Sequence, residues 1–238
     1  MSPRKFPRVD LKMTEPKTAP AVDPDILDAA EGHARFREKF ERERDLYRRI
    51  AISAQRPRLL WIGCSDSRVV PSEILSADPG ELFEVRNIAN TVPPAGSGDV
   101  SVGAAITYAV EHLHIDDIVV CGHTGCGGIK ALAGDAPLVE RGELGRWVGY
   151  TRPAHRLIQA AGVPTEDRHV ETVKAHIHFQ LDNLMTYPLV ARRVMENRLD
   201  LHGWLYVMEE GELLTFDPVE GDWRPLFERV PLDGARAG

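Results

Sequence analysis

Cysteine is scarce: Cys64, Cys121 and Cys126 are the three in a chain of 238 residues. That count excludes a disulfide framework and makes a reducing, intracellular setting the simpler expectation, one in which clustered cysteines serve as metal ligands or reactive thiols. Long apolar runs are missing as well. None approaches the ~18 uncharged residues that a membrane helix needs, so no membrane association is expected. The N-terminus carries basic residues with no apolar run behind them, so it does not read as a secretory signal, and the cytoplasm is the default location. Basic charge is in deficit, with 29 Lys and Arg against 36 Asp and Glu and a net charge of −7. A nucleic-acid backbone binder needs a basic face, so nucleic acid is not an expected partner. Several catalytic signatures are absent too. Gly96-Ser97-Gly98 lacks the Rossmann spacing, Gly122 to Lys130 lacks the Gly-Lys-Ser/Thr ending of a phosphate loop, and no Gly-x-Ser-x-Gly elbow occurs. Without a Cys-x-x-Cys, a redox thiol role would need Cys64 and Cys126 to pair across separate segments.

What remains has the composition of a globular protein, 43% hydrophobic and 27% charged. At this length a core can form without a staple. Residues 1–24 hold five prolines (Pro3, Pro7, Pro16, Pro20, Pro24) and little apolar periodicity, and read as a flexible tail. From Ile26 to about Ser53 the pattern turns helical, with Phe36 and Phe40 four residues apart, as are Arg37 and Glu41. This arm, taken as residues 25–56, must lie on something, either its own domain or a partner subunit. Short apolar runs then alternate with helical segments, which predicts one α/β domain over the rest of 25–238. Its expected architecture is a mostly parallel central sheet flanked by helices, with the helical arm at the N-terminus and an edge hairpin near the C-terminus. The strand candidates are Leu59–Ile62, Leu82–Val85 and Ile118–Cys121, with a mostly buried crossover helix over Val102–Leu113. Further helices fall around 128–134, 143–162 and 168–197, the last interrupted near Pro188. Gly203–Val207 and Leu213–Phe216, separated by Glu210-Gly211, form the predicted hairpin.

Two strand ends carry the chemistry. Leu59–Ile62 runs into Gly63-Cys64-Ser65-Asp66-Ser67-Arg68, and Ile118–Cys121 runs into Gly122-His123-Thr124-Gly125-Cys126-Gly127-Gly128. If the strands are parallel neighbours, both clusters share the carboxyl rim where open α/β sheets bind ligands. Cys64, His123 and Cys126 then offer two thiolates and one imidazole, a donor set that suits Zn²⁺ with one position left for water. Asp66 has two possible jobs beside such a metal: accepting a hydrogen bond from the water, or filling the fourth position itself. Cys121 lies inside the apolar run and reads as a small buried hydrophobe. His176 and His178, two residues apart, do not share a helix face and are expected to be solvated polar residues.

Through CSDSR at 64–68 and GHTGCGG at 122–128 the chain resembles the β-class carbonic anhydrases. PGELFEVRNIAN (79–90), AAITYAV (104–110) and LHGWLYVMEEGEL (201–213) extend the resemblance over about residues 33–216. It implies one Zn²⁺ per subunit on Cys64, His123 and Cys126, with Asp66 and Arg68 as the catalytic dyad. The activity implied is reversible hydration of CO₂ to bicarbonate and a proton, since zinc brings the pKa of bound water toward ~7. Gln55 resembles a substrate-orienting glutamine, and Phe83, Ile88 and Tyr108 a pocket wall that a neighbouring subunit helps to build. A homo-oligomer, a dimer or a multiple of dimers, follows by the same resemblance. Trp61, Arg86 and Tyr108 match residue types of a regulatory bicarbonate pocket found in some bacterial members, although Val92-Pro93-Pro94 looks more like the open plant-type enzymes. Two alternatives share the metal site: a hydrolase of COS or CS₂, and a non-catalytic zinc protein in which Asp66 closes the site.

Overall fold

The structure is a computed structural model and describes residues 24–133 and 142–229; the expected tail lies almost wholly outside them. The chain divides after Ser53 into two compact units. In the first, the expected single helical arm is two helices, α1 (Pro24–Arg42) and α2 (Arg44–Ile52). Glu43, at φ −110° and ψ 28°, breaks the helix between them. The turn lets Tyr47 meet the Phe36–Phe40 pair, with ring centroids 5.6 and 5.2 Å away, so three aromatics cover one another where a straight helix would leave them apart.

The second unit is built on a six-stranded sheet in the order β2-β1-β3-β4-β5-β6. Its strands are β1 (Leu59–Cys64), β2 (Leu82–Asn87), β3 (Asp117–His123), β4 (Asp200–Val207), β5 (Glu212–Asp217) and β6 (Asp222–Pro225). The first four in spatial order run parallel, and β5 and β6 add antiparallel. The mostly parallel sheet is therefore as expected, but β4 is an inner strand and the predicted hairpin is extended by β6. That last strand, DWRP, has too little apolar alternation to be read from sequence.

The helices around the sheet are α3 (Pro71–Ile74), α4 (Ser101–Thr107), α5 (Gly127–Ala133), α6 (Gly142–Val148), α7 (Arg152–Ala160), α8 (Arg168–Met185), α9 (Pro188–Met195) and α10 (Leu226–Arg229). Prolines account for two boundaries, since Pro153 and Pro188 sit in the first turns of α7 and α9, where a missing N–H costs nothing. The helix expected over 143–162 is accordingly split at a short 3₁₀ turn. The crossover helix continues past Thr107 as a π-turn over Tyr108–His112, closed by Leu113 N–H on Tyr108 O. Among the described residues no helix is long and apolar enough to cross a membrane.

Strand β1 is buried on both faces, which explains its unbroken apolar run. Leu60, Ile62 and Cys64 face the main core, together with Ile118, Val120 and Ile177 of α8. Trp61 faces a smaller core with Val119 and Cys121. Helix α8 packs across β3 and β4 and closes the main core. Its His176 corrects the sequence reading: it is fully buried, while His178 packs edge-on against Phe216 at 4.3 Å. The two do lie on different faces, but neither is a solvated polar residue.

Candidate metal centre

In the sheet, the order of winding reverses at β1: β2 lies on one side of it and β3 on the other. The crevice outside the carboxyl ends of β1 and β3 is thus the switch point where such sheets bind ligands. Gly63 pairs in register with Cys121, so Cys64 at the end of β1 and His123 at the end of β3 emerge side by side. Gly125, at φ +69°, turns the chain back toward the rim, a conformation glycine adopts without strain. Cys126 follows at the entrance to α5. The donor atoms of Cys64, His123 and Cys126 all lie within 4.8 Å of one another, and the three residues are buried.

Their protonation suits a cation. His123 Nδ1–H donates to Thr124 O at 2.8 Å, which fixes the tautomer and leaves a lone pair on Nε2. That Nε2 is buried and has no hydrogen-bond partner. A buried acceptor without a partner is costly in any protein, and a metal ion beside two sulfurs removes the cost. Cys64 is held down to about 4, chiefly by the Cys126 thiol donating to it, with the backbone N–H groups of Asp66 and Ala89 helping against burial. The same contact pushes Cys126 up. One thiolate thus forms readily, and a divalent cation would supply what the second needs.

Asp66 stands at the mouth of the cluster, with Oδ2 3.9 Å from His123 Nε2. Arg68 grips it in a fork: Nε donates to Oδ1 at 2.9 Å, a terminal nitrogen to Oδ2 at 2.7 Å, and the backbone N–H to Oδ1 at 3.1 Å. Arg68 therefore holds the carboxyl well below the usual carboxylate range. Arg86 does a task that sequence reasoning missed. It donates to Cys64 O at 3.2 Å, Asp66 O at 2.8 Å and Val69 O at 2.7 Å, so it fastens the loop that presents both Cys64 and Asp66. Thr124, between the two β3-side ligands, donates to Glu209 at 2.6 Å and accepts from Met208 N–H at 3.0 Å.

The remaining expected residues are dispersed. Gln55 is exposed in the connection before β1. Ile88 is 41% exposed and lines a cleft of about 430 Å³ with Ser65, Asn87, Leu144 and Trp147, beside the cluster. Phe83 and Tyr108 pack on each other at 5.8 Å. The expected convergence of Trp61, Arg86 and Tyr108 is not found. Trp61 and Arg86 fall on one face of the sheet, by the register of β1 on β2, whereas Tyr108 sits with Phe83, which pairs with Leu60 on the other. Strand parity, with its period of two, separates them.

Residues 59–213 match the carbonic anhydrase family model. A carbonic anhydrase of Synechocystis sp. is 41% identical over 204 residues, 84% of this chain and 74% of that protein. The solved β-carbonic anhydrase CcaA superposes with a TM-score of 0.77 at 38% identity, covering 84% of this chain and 99% of that one. A solved tetrameric β-carbonic anhydrase of Sordaria macrospora gives 0.71 at 29% identity, over 80% of this chain and 95% of that one. The family match and the relatives' likeness over most of the chain agree: the chain is a member of the β-class carbonic anhydrase family.

Proposed function

We propose that this chain catalyses the reversible hydration of CO₂ to bicarbonate and a proton, using one Zn²⁺ per subunit held by Cys64, His123 and Cys126. The observation that carries the reading is the unpartnered, buried His123 Nε2 within 4.8 Å of two thiols, faced by an ionised Asp66. Zinc in this site supplies Lewis acidity, bringing the ionisation of water into the neutral range.

The chain's own residues do the rest. Asp66 is held so far down by Arg68 that it is a poor base. Its task is to orient: Oδ2 accepts a hydrogen bond from the water and so aims an oxygen lone pair at the carbon. Arg68, by occupying both carboxylate oxygens, keeps Asp66 from serving as a fourth metal ligand, which disfavours the closed, non-catalytic alternative. CO₂ is small and apolar, and the side chains of Ile88, Leu144 and Trp147 offer it a wall beside the cluster. Exposure of 41% at Ile88 and 44% at Tyr108 suits residues that a second subunit covers. With the tetrameric relative, it supports a homo-oligomer in which Phe83, Ile88, Tyr108 and Gln55 complete the pocket.

The test is stopped-flow CO₂ hydration on zinc-quantified protein at pH 7 and above pH 8. Fast turnover at both values is expected of a site in which Arg68 retains Asp66. Activity confined to the higher pH would mean that Asp66 rests on the metal. No turnover at either, with a full zinc complement, would overturn the reading and direct assays to COS and CS₂.

A further inference from the structure

Behind the metal cluster the chain turns through Ala89 and Asn90, whose φ values of 60° and 43° put two consecutive non-glycine residues in the left-handed region. L-residues with a Cβ avoid this conformation unless their surroundings impose it. Asn87 closes the turn locally through both its amide atoms on Thr91, and α8 holds it from behind. His176 Nε2–H donates to Ala89 O at 2.8 Å. Gln180 Nε2 reaches His176 Nδ1 at 3.1 Å, which fixes the imidazole tautomer, and Gln180 Oε1 accepts Val92 N–H at 2.7 Å. Asn183 donates to Val92 O at 2.8 Å. His176 and Gln180 are both fully buried, so this is an internal polar brace with every side-chain atom of the pair employed.

The other side of the same turn touches the metal site. Ala89 shares the main core with Cys64, and its backbone N–H is one of the smaller influences that lower the Cys64 thiol. Gly128, two residues beyond Cys126, sits so close that a Cβ there would approach Ile88 Cγ2 to 2.9 Å and Ala89 Cβ to 3.0 Å. Ala89 therefore packs against the metal site on one side and has its C=O on an α8 histidine on the other. Neither can shift without the other.

We propose that His176 and Gln180 are positioning residues for the metal centre: by gripping the Ala89 carbonyl they maintain the strained turn that aims the Ala89 N–H at the Cys64 sulfur. The bond draws electron density from the thiolate and keeps the sulfur in place for the cation, so its loss weakens metal retention and leaves the sulfur a stronger electron donor. The inference rests on the zinc reading above, and its readouts do not require CO₂ turnover.

The experiment uses the full chain loaded with Co²⁺ or Zn²⁺. His176→Leu, which removes the donor at similar size, should move the thiolate-to-cobalt charge-transfer band to longer wavelength. It should also lower zinc affinity in chelator competition by about 10- to 100-fold, the usual range for second-sphere partners. His176→Gln, which keeps an N–H for Ala89 O, should restore most of both. In an Ala89→Gly background, where the left-handed turn needs no enforcement, the loss from His176→Leu should shrink several-fold. A merely structural histidine would cost the same in either background, and that result would overturn the proposal. So would a wild-type band and affinity in His176→Leu. If His176→Leu does not fold, Gln180→Met is read by the same measurements, with the same two results against it. A wild-type protein that takes up cobalt without any thiolate band would sink the zinc reading itself, a failure distinct from the other two.

Discussion

Cys64 and Cys121 lie on adjacent parallel strands, 5% and 1% exposed, and yet their chemistry is opposite. Cys121 is inside β3 on the smaller core, where its thiol donates to Gly122 O at 3.4 Å and burial alone pushes its pKa up. Cys64 is the last residue of β1, on the other face, and lies at about 4. Burial opposes ionisation at both. The difference is that Cys64, where its strand ends, receives a hydrogen bond from the Cys126 thiol, with smaller help from the backbone N–H groups of Asp66 and Ala89, whereas at Cys121 the Tyr206 backbone alone works against burial. A thiol becomes a ligand here by its position at a strand end, not by its burial.

Single substitutions put the largest effect on this contrast. Cys64→Ala removes one of three donors, and zinc content after dialysis against a chelator should fall to near zero, with CO₂ hydration down by about 10³-fold or more. Cys121→Ala should keep zinc and turnover within about twofold and cost about 1 kcal/mol in a denaturant melt, the effect of a small cavity. Loss of zinc from Cys121→Ala would break the comparison.

Arg68→Ala tests the next residues along the same strand end. Freed of its fork, Asp66 loses both orientation and the restraint that keeps it off the metal, and kcat should fall by about 10²-fold. Arg68→Lys should recover little, because a point charge cannot reproduce the two parallel bonds at 2.9 and 2.7 Å. The pH dependence follows from a folded pKa held below the unfolded one. The pair's stabilisation is present above about pH 4 and lost only as pH falls further. An Asp66 titration visible in the activity profile near neutral pH would contradict this geometry.

The strand ends were readable in advance because short apolar runs stop at Gly-flanked Cys and His, and chemistry of that kind is local in sequence. The parallel sheet and the breaks at prolines were readable for the same reason. Long-range partners were not. Nothing near His176 in sequence announces that its imidazole meets a carbonyl 87 residues away. Asn87-Ile88-Ala89-Asn90 could have been flagged as a turn, since asparagine tolerates left-handed backbone, but the brace behind it lies on a distant helix. Trp61, Arg86 and Tyr108 failed to converge because a face is set by strand register. Glu43 splits the arm with no proline or glycine to mark the place.

The two fully buried histidines repeat the cysteine contrast. His123 at the strand end has an orphaned Nε2, whereas both ring nitrogens of His176 are occupied. Burial carries His176 from 6.5 down to about 4. The unfolded chain then binds a proton between those values that the folded one refuses, so stability is complete above about pH 6.5 and declines as pH falls toward 4. One such group gives a slope of up to about 1.4 kcal/mol per pH unit. Urea melts across that window should show the slope in the wild type and a flatter line in His176→Gln. Acid release of metal adds its own slope to both proteins, so the difference between them isolates His176.

The smallest effects come from two glycines on either side of the β3 end. Gly122 lies within the strand, beneath α8, where a Cβ would come 2.8 Å from Val173 Cγ1 and 2.9 Å from Ile177 Cδ1. Those are side chains of the main core, and the fully buried Ile177 has no room to retreat. Gly122→Ala should therefore cost about 1–3 kcal/mol by overpacking. It should also push α8 outward, so a drop in zinc affinity would accompany the loss of stability if the brace on Ala89 moves with the helix. Gly127, past the strand end and opening α5, has nothing within 4 Å of where a methyl group would sit. Alanine there restricts the unfolded chain and favours the helix, so Gly127→Ala should be neutral or stabilising by up to about 1 kcal/mol. The pair separates the two regions by packing alone, since the substitution is the same and both sites flank a ligand. Equal destabilisation at both would mean that the rim is packed as tightly as the strand, leaving no slack for the chain to close around a cation.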